Sequence, residues 1–186
     1  MKRCIVIGCP GSGKSTFSKM LHRATGLPLY HLDMMYWKED RTSVSREIFL
    51  NILKEVLNKD CWIIDGNYES TMEMRMEKCD TVFFLDYPVE VCMEGIMSRR
   101  GKERSDMPWT EKSHEFDEEF LEWVKKFDIE SRPKVLELLA RYDDKEIVIF
   151  KSRTEAREYL FRIGDELIKP TRSILVICQE LFEKIF

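Results

Sequence analysis

One short glycine-rich segment constrains the fold of this 186-residue chain more than any other feature. Residues 8–16 read GCPGSGKST, which satisfies the G-x-x-x-x-G-K-[ST] pattern of a phosphate-binding loop. The apolar run before it, residues 4–7, is typical of a parallel strand buried on both faces. From Ser15 onward apolar residues recur at helical spacing, and Gly26 is a suitable C-terminal stop. The sequence therefore predicts a strand, a phosphate loop and a helix.

The residues of this loop have separate expected roles toward a nucleoside triphosphate. Backbone N–H groups of the loop would surround the phosphates, assisted by the positive end of the helix dipole. Lys14 is expected to reach the outer phosphates, and the Ser15 hydroxyl is expected to hold Mg²⁺. ATP or GTP with Mg²⁺ is thus predicted to bind the loop residues Gly8, Pro10, Gly11, Ser12, Gly13, Lys14, Ser15 and Thr16.

Charge and cysteine usage limit the partners of the chain. The net charge is −4, so the overall field disfavours nucleic acid and anionic membranes. The six cysteines show no metal-binding spacing and are expected to be reduced. The apolar stretch after the N-terminus is interrupted at Gly8 and Pro10, unlike a secretory signal. These features favour a cytoplasmic protein without a membrane span.

Short apolar runs alternate with helical patterns along the rest of the chain, as in βα units. Further strands are predicted at 27–33, 60–65, 81–86 and 146–150. Helices are predicted at 45–59, 89–100, 116–142 with a break at Pro133, and 154–168. The predicted fold is α/β, a three-layer αβα P-loop NTPase with a five-stranded parallel sheet. A charged segment at about 101–115 is expected to be a small lid, with a solvated surface loop as the alternative.

Two parts of the chain are distinguished by this pattern. Residues 1–168 are expected to form one domain, and residues 169–186 a C-terminal helical tail. The tail is too short and too interrupted to span a membrane. It is expected to pack on the body of the same chain; a homodimer contact is the second interpretation and a membrane-surface helix the third.

Three predicted strands end in an aspartate, and in such sheets ligands bind beyond the carboxyl ends of the strands. Asp65 is the candidate Mg²⁺ ligand, with a cap or turn residue as the alternative. Asp33 is a candidate general base for an acceptor hydroxyl, and a simple strand-to-loop turn is an equal alternative. Asp86 is expected near the same edge. His31 is expected to be a packed or hydrogen-bonded strand residue.

Basic residues flank the predicted lid, and phosphoryl transfer requires charge stabilisation on the migrating group. Arg99, Arg100 and Arg104 are candidates to clamp that phosphate. Favourable charge at a helix C-terminus is the alternative for them. Arg132 is a further candidate, and Arg75 fits either an acceptor contact or a solvated helix. The predicted catalytic set is therefore Lys14, Asp33, Arg99, Arg100 and Arg104.

Several segments together resemble one known family. They are the phosphate loop, YHLD at 30–33 with YW at 36–37, WIIDGNY at 62–68, FLDYP at 84–88, and RR at 99–100 with RSDM at 104–107. Spread over residues 1–165, they resemble the adenylate-kinase-like P-loop kinases, among them the bacterial proteins labelled DNA topology modulation proteins. The resemblance implies a five-stranded parallel core, ATP or GTP with Mg²⁺, and a closing lid.

The resemblance leaves the phosphoryl acceptor open. Adenylate kinases carry arginines that hold a nucleoside monophosphate, and this chain has HLDMM at 31–35 and DGNY at 65–68 instead. Gly95 stands where those kinases place an arginine over the base, which implies loose base discrimination. The sequence predicts a Mg²⁺-dependent kinase that phosphorylates a nucleoside, a nucleotide or a small hydroxylated metabolite. The alternative is a regulatory NTP-binding protein or slow NTPase associated with DNA topology modulation.

Overall fold

The computed structural model describes residues 1–102, 104–109 and 118–168, and a parallel sheet of five strands forms the centre of this part. The strands are β1 (Arg3–Gly8), β2 (Leu29–His31), β3 (Trp62–Asp65), β4 (Thr81–Leu85) and β5 (Glu146–Phe150). Their order across the sheet is β2-β3-β1-β4-β5, and every pairing is parallel. The predicted α/β architecture is confirmed.

Helices cover both faces of the sheet and make a three-layer αβα structure. The larger helices are α1 (Lys14–Thr25), α3 (Arg46–Leu57), α4 (Glu69–Lys78), α5 (Val89–Arg99), α8 (Arg132–Ala140) and α9 (Arg153–Ile168). The shorter ones are α2 (Leu32–Tyr36), α6 (Glu118–Lys125) and α7 (Phe127–Glu130). Side chains of α1, α5 and α9 pack on one face, and those of α3, α4 and α8 pack on the other.

The central strand shows why the strand sequences are continuous apolar runs. Cys4 and Val6 pack toward the first helical layer, whereas Ile5 and Ile7 pack toward the second. All four side chains are fully buried. Because helices cover both faces, none of these four positions is left for a polar residue. The parallel arrangement brings the carboxyl ends of β1, β2 and β3 to one edge, where ligands of such sheets bind.

The structure differs from the predicted strands and helices in three places. Strand β2 ends at His31, and Asp33 lies in the first turn of α2 rather than in a strand. Helix α4 has no counterpart among the predicted helices, because most of its residues are polar. The predicted helix 116–142 is divided into α6, α7 and α8, and the break precedes Pro133, which lies in the first turn of α8. Proline is tolerated there because that N–H has no helical partner.

Parts of two predictions lie outside the described residues. The predicted tail helix at 169–186 is one of them, so its docking and the homodimer contact stay predictions. Of the predicted lid, residues 101–102 and 104–109 are described. Across the described ranges, no helix is both long and apolar enough to cross a membrane.

Candidate functional site

The phosphate loop follows β1 directly and packs tightly against α5. Gly11 and Gly13 have φ values of 83° and 95°, a left-handed conformation that glycine adopts without steric cost. A β-carbon at Gly11 would lie 2.0 Å from the Cys92 carbonyl oxygen, and one at Gly95 would lie 2.1 Å from the Gly11 carbonyl oxygen. Both glycines are therefore required by the close approach of the loop to α5. This contact is a packing reason for Gly95, which the sequence interpretation had linked to base discrimination.

Lys14 is the first residue of α1 and folds back over the loop. Its Nζ donates hydrogen bonds to the carbonyl oxygens of Gly8 at 2.9 Å and Cys9 at 3.2 Å. Burial lowers the pKa of Lys14, while the charges of Asp65 and Asp33 act in the opposite direction. Lys14 and Asp33 line one cavity, and Asp65 lies buried at the end of β3, the strand beside β1.

Asp65 is the last residue of β3, and one of its two carboxylate oxygens accepts a hydrogen bond. His31 ends β2 directly beside it in register, and its Nδ1 donates a hydrogen bond to Asp65 Oδ2 at 2.8 Å. The other oxygen, Oδ1, is buried and has no hydrogen-bond partner among the described residues. A buried polar atom without a partner needs an explanation, and carboxylate oxygens are the ligands that Mg²⁺ prefers. Asp65 therefore fits the predicted metal role, and His31 is its hydrogen-bonded neighbour.

Asp33, in the first turn of α2, lines a cavity that the phosphate loop also lines. Its Oδ1 accepts a hydrogen bond from the Tyr68 hydroxyl at 2.8 Å. Burial raises the pKa of Asp33, and the Tyr68 hydrogen bond lowers it only in part. A carboxylate with a raised pKa beside a phosphate loop has the properties of a general base. The simple-turn alternative is disfavoured because Asp33 lies in a helix.

Residues 66–68, after β3, form a second loop that contacts several parts of the site. The Asn67 side chain accepts from the Gly8 N–H at 3.1 Å and donates to the Gly8 carbonyl oxygen at 2.8 Å. Arg75 of α4 is fully buried and donates to the carbonyl oxygens of Gly66, Asn67, Tyr68 and Thr71. Both interpretations of Arg75 from the sequence are therefore wrong. The guanidinium group holds the backbone of this loop.

The arginines around the predicted lid have different surroundings. Arg99, Arg100 and Arg104 line the cavity together with the phosphate loop, as expected of a phosphate clamp. Arg132 instead makes a two-pronged ion pair with Asp86, at 2.7 and 2.8 Å, and Lys151 binds the same carboxylate. Asp86 and Arg132 are thus engaged with each other outside the cavity lining. The candidate role of Arg132 in the clamp is corrected accordingly.

Asp106 is a site residue that the sequence interpretation missed. Its carboxylate is buried and lies 2.6 Å from an Arg104 nitrogen and 3.4 Å from Lys19 Nζ. Burial alone would raise the pKa of Asp106, but the two cations and the nearby Ser15 hydroxyl hold it far below its usual range. The RSDM segment was the available signal, and only its arginine was used. The described part of the predicted lid therefore contacts α1 through Asp106.

The cavity lined by the phosphate loop, Asp33 and Asp106 has a volume of about 1840 Å³, and the buried Asp65 is not part of its lining. One part of it is lined by the phosphate loop and the arginines. Another part, beside Asp33, is lined by aromatic side chains from four separate segments, and these are Tyr36, Trp37, Phe49, Tyr68 and Trp109. The size and the two differently lined parts are sufficient for two ligands of moderate size.

Comparison with known proteins supports the fold. No protein-family model matches the chain, and no match is found among the curated proteins. In a search of solved structures, a shikimate kinase from Bacteroides thetaiotaomicron has a TM-score of 0.53 and 18% sequence identity. The alignment covers 89% of this chain and 98% of that chain. At this identity the likeness supports the αβα fold alone, and it leaves both the activity and the acceptor open.

Proposed function

We propose that this chain is a Mg²⁺-dependent phosphotransferase that moves the γ-phosphate of ATP to a hydroxyl group. The acceptor belongs to the nucleosides, the nucleotides or the small hydroxylated metabolites. The observation that carries the proposal is that Asp33, a carboxylate whose pKa is raised by burial, lines the same cavity as Lys14 and the rest of the phosphate loop. A protein that only binds and slowly hydrolyses a nucleotide does not require a base beside the aromatic-lined part of the cavity, which is large enough for a second ligand.

The nucleotide side of the site provides binding and charge stabilisation. The N–H groups of the loop and the ammonium group of Lys14 bind the phosphates of ATP. Arg99, Arg100 and Arg104 stabilise the charge on the phosphoryl group as it moves. Ser15 and Asp65 Oδ1 would hold Mg²⁺, for which the unpaired buried oxygen is suited. When bound, the ion neutralises charge on the phosphate oxygens.

The acceptor side provides orientation and proton transfer. Asp33 accepts a hydrogen bond from the acceptor hydroxyl and aims its oxygen at the γ-phosphorus. As the new O–P bond forms, the hydroxyl proton passes to Asp33 and the bond from phosphorus to the ADP oxygen breaks. The Tyr68 hydroxyl, 2.8 Å from Asp33, keeps the carboxylate in position for this transfer.

The decisive experiment is Mg²⁺-dependent ADP release from ATP across a panel of nucleosides, nucleoside monophosphates and small hydroxylated metabolites. The Lys14→Ala variant is the blank, because it removes the ammonium group of the loop. Stimulation by one class of acceptor above this blank would support the proposal. Binding with slow hydrolysis and no effect of any acceptor would contradict it. That result would favour the regulatory NTPase alternative and call for a test of salt-dependent binding to duplex DNA.

A further inference from the structure

The aromatic side chains beside Asp33 form one continuous surface in the cavity. We call it the aromatic wall, and it consists of Tyr36, Trp37, Phe49, Tyr68 and Trp109. The ring centroids of Tyr36 lie 4.9 Å from Trp37, 5.3 Å from Phe49 and 5.2 Å from Tyr68. All members except Phe49 are partly exposed, and all of them line the cavity. Four members of the wall therefore offer an accessible surface, and Phe49 belongs to the core cluster on which Tyr36 and Tyr68 pack.

The backbone of Tyr68 indicates that this surface is a built site. Tyr68 has φ 40° and ψ 70°, a left-handed conformation that bulky residues rarely adopt. The buried guanidinium of Arg75 donates to the Tyr68 carbonyl oxygen at 3.2 Å and to the two carbonyls before it. In this conformation the Tyr68 ring joins the wall and its hydroxyl reaches Asp33. Strained residues that are held in this way are concentrated at ligand sites.

The predicted lid reaches the same wall. The ring of Trp109 meets that of Trp37 edge to face, with centroids 5.5 Å apart and an interplanar angle of 87°. Three residues earlier, the Asp106 carboxylate lies 3.4 Å from Lys19 Nζ of α1. One short segment thus contacts both the helix after the phosphate loop and the aromatic wall. A ligand on the wall would therefore lie beside a segment that also contacts the helix of the phosphate loop.

We propose that the acceptor carries a flat heteroaromatic ring, as nucleosides and their monophosphates do, and that this ring stacks on the aromatic wall with a hydroxyl at Asp33. The inference rests on the proposed phosphotransfer. Aromatic side chains bind such rings by stacking, largely independently of the identity of the base. A ring-less polyol would leave the partly exposed faces of Trp37 and Tyr36 in contact with water.

The test compares ring-bearing acceptors with ring-less polyols in ADP release and in direct binding. Trp37→Leu removes the aromatic face, Trp37→Phe keeps a smaller one, and Phe161→Leu removes an exposed aromatic ring of α9 outside the cavity lining. We expect Trp37→Leu to raise the KM of ring-bearing acceptors at least about tenfold, in line with the usual strength of base stacking. The KM of ATP should stay constant in Trp37→Leu. Trp37→Phe should restore most of the acceptor affinity, and Phe161→Leu should change neither the acceptor KM nor the ATP KM.

Binding without turnover provides the second readout. Titration of a nucleoside into the protein with a non-hydrolysable ATP analogue is followed by calorimetry and by tryptophan fluorescence, to which Trp37 and Trp109 contribute. Turnover of polyols in preference to ring-bearing compounds, or an unchanged acceptor KM in Trp37→Leu, would overturn the ring inference and leave the phosphotransferase intact. Nucleoside binding that Trp37→Leu weakens, without any transfer, would retain the ring site and refute the phosphotransfer.

Discussion

At the scale of single residues, two opposing effects set the basicity of Asp33. Burial raises the pKa of its carboxyl group, because the charged form is poorly solvated. The Tyr68 hydroxyl opposes this effect by donating a hydrogen bond that stabilises the charged form. A general base must be deprotonated before it acts, so kcat/KM should fall as the pH drops through the raised pKa of Asp33.

This balance can be tested with Tyr68→Phe. The substitution removes the hydroxyl that stabilises the carboxylate, so the pKa of Asp33 should rise further. The acidic limb of the pH–rate profile should therefore move to higher pH, and the loss of kcat/KM should be greater at low pH than at high pH. The matched control is Tyr142→Phe, at a tyrosine outside the cavity lining. An unchanged acidic limb in Tyr68→Phe would show that Asp33 is not the titrating base.

At the scale of secondary-structure elements, the buried side chain of Arg75 in α4 donates hydrogen bonds to the backbone of the loop at residues 66–68. Burial lowers the pKa of Arg75 to about 9, and its hydrogen-bond acceptors are backbone carbonyls. Lysine lacks the planar fork that reaches several carbonyls at once. Each buried carbonyl that is left without a donor costs about 1–3 kcal/mol.

We therefore expect Arg75→Lys to lower the free energy of unfolding by about 2 kcal/mol or more, as measured by urea denaturation. Arg141→Lys is the control, because Arg141 makes an exposed ion pair with Glu73 at 3.1 Å. That surface change should stay within about 0.5 kcal/mol of the wild type. If both variants are equally stable, the carbonyl contacts of Arg75 contribute little to the fold.

The contact between α5 and the phosphate loop leads to a second prediction at this scale. A β-carbon at Gly95 would lie 2.1 Å from the Gly11 carbonyl oxygen, so Gly95→Ala must displace the loop or the helix. We expect a loss of stability of about 1–3 kcal/mol and weaker ATP binding, measured by thermal unfolding and calorimetry. Gly164→Ala is the matched control, because a β-carbon there would meet nothing within 4 Å among the described residues outside its own helix turn, and alanine favours a helix by about 1 kcal/mol. The two substitutions should therefore shift the Tm in opposite directions.

At the scale of the whole molecule, the sheet was predictable and part of the site was not. Buried parallel strands such as β1 and β4 are continuous apolar runs, which sequence patterns detect directly. Helix α4 was missed because its buried face includes a threonine and an arginine, Thr71 and Arg75, among methionines. The role of Asp106 depends on Lys19, a partner 87 positions away, and no local pattern indicates such a contact.

The contact of Asp106 with α1 determines how the described part of the predicted lid is held on the body of the molecule. Its buried carboxylate lies 2.6 Å from an Arg104 nitrogen and 3.4 Å from Lys19 Nζ, so its negative charge links the segment around Arg104 to α1. Asp106→Asn removes that charge and keeps the shape of the side chain. Because proteases cleave segments that open locally, trypsin should then cut after Arg104 several times faster, as followed by mass spectrometry. Asp143→Asn, in the exposed turn before β5, should leave that rate unchanged. Equal cleavage rates in wild type and Asp106→Asn would mean that apolar contacts such as Trp37 with Trp109, rather than this carboxylate, hold the segment in place.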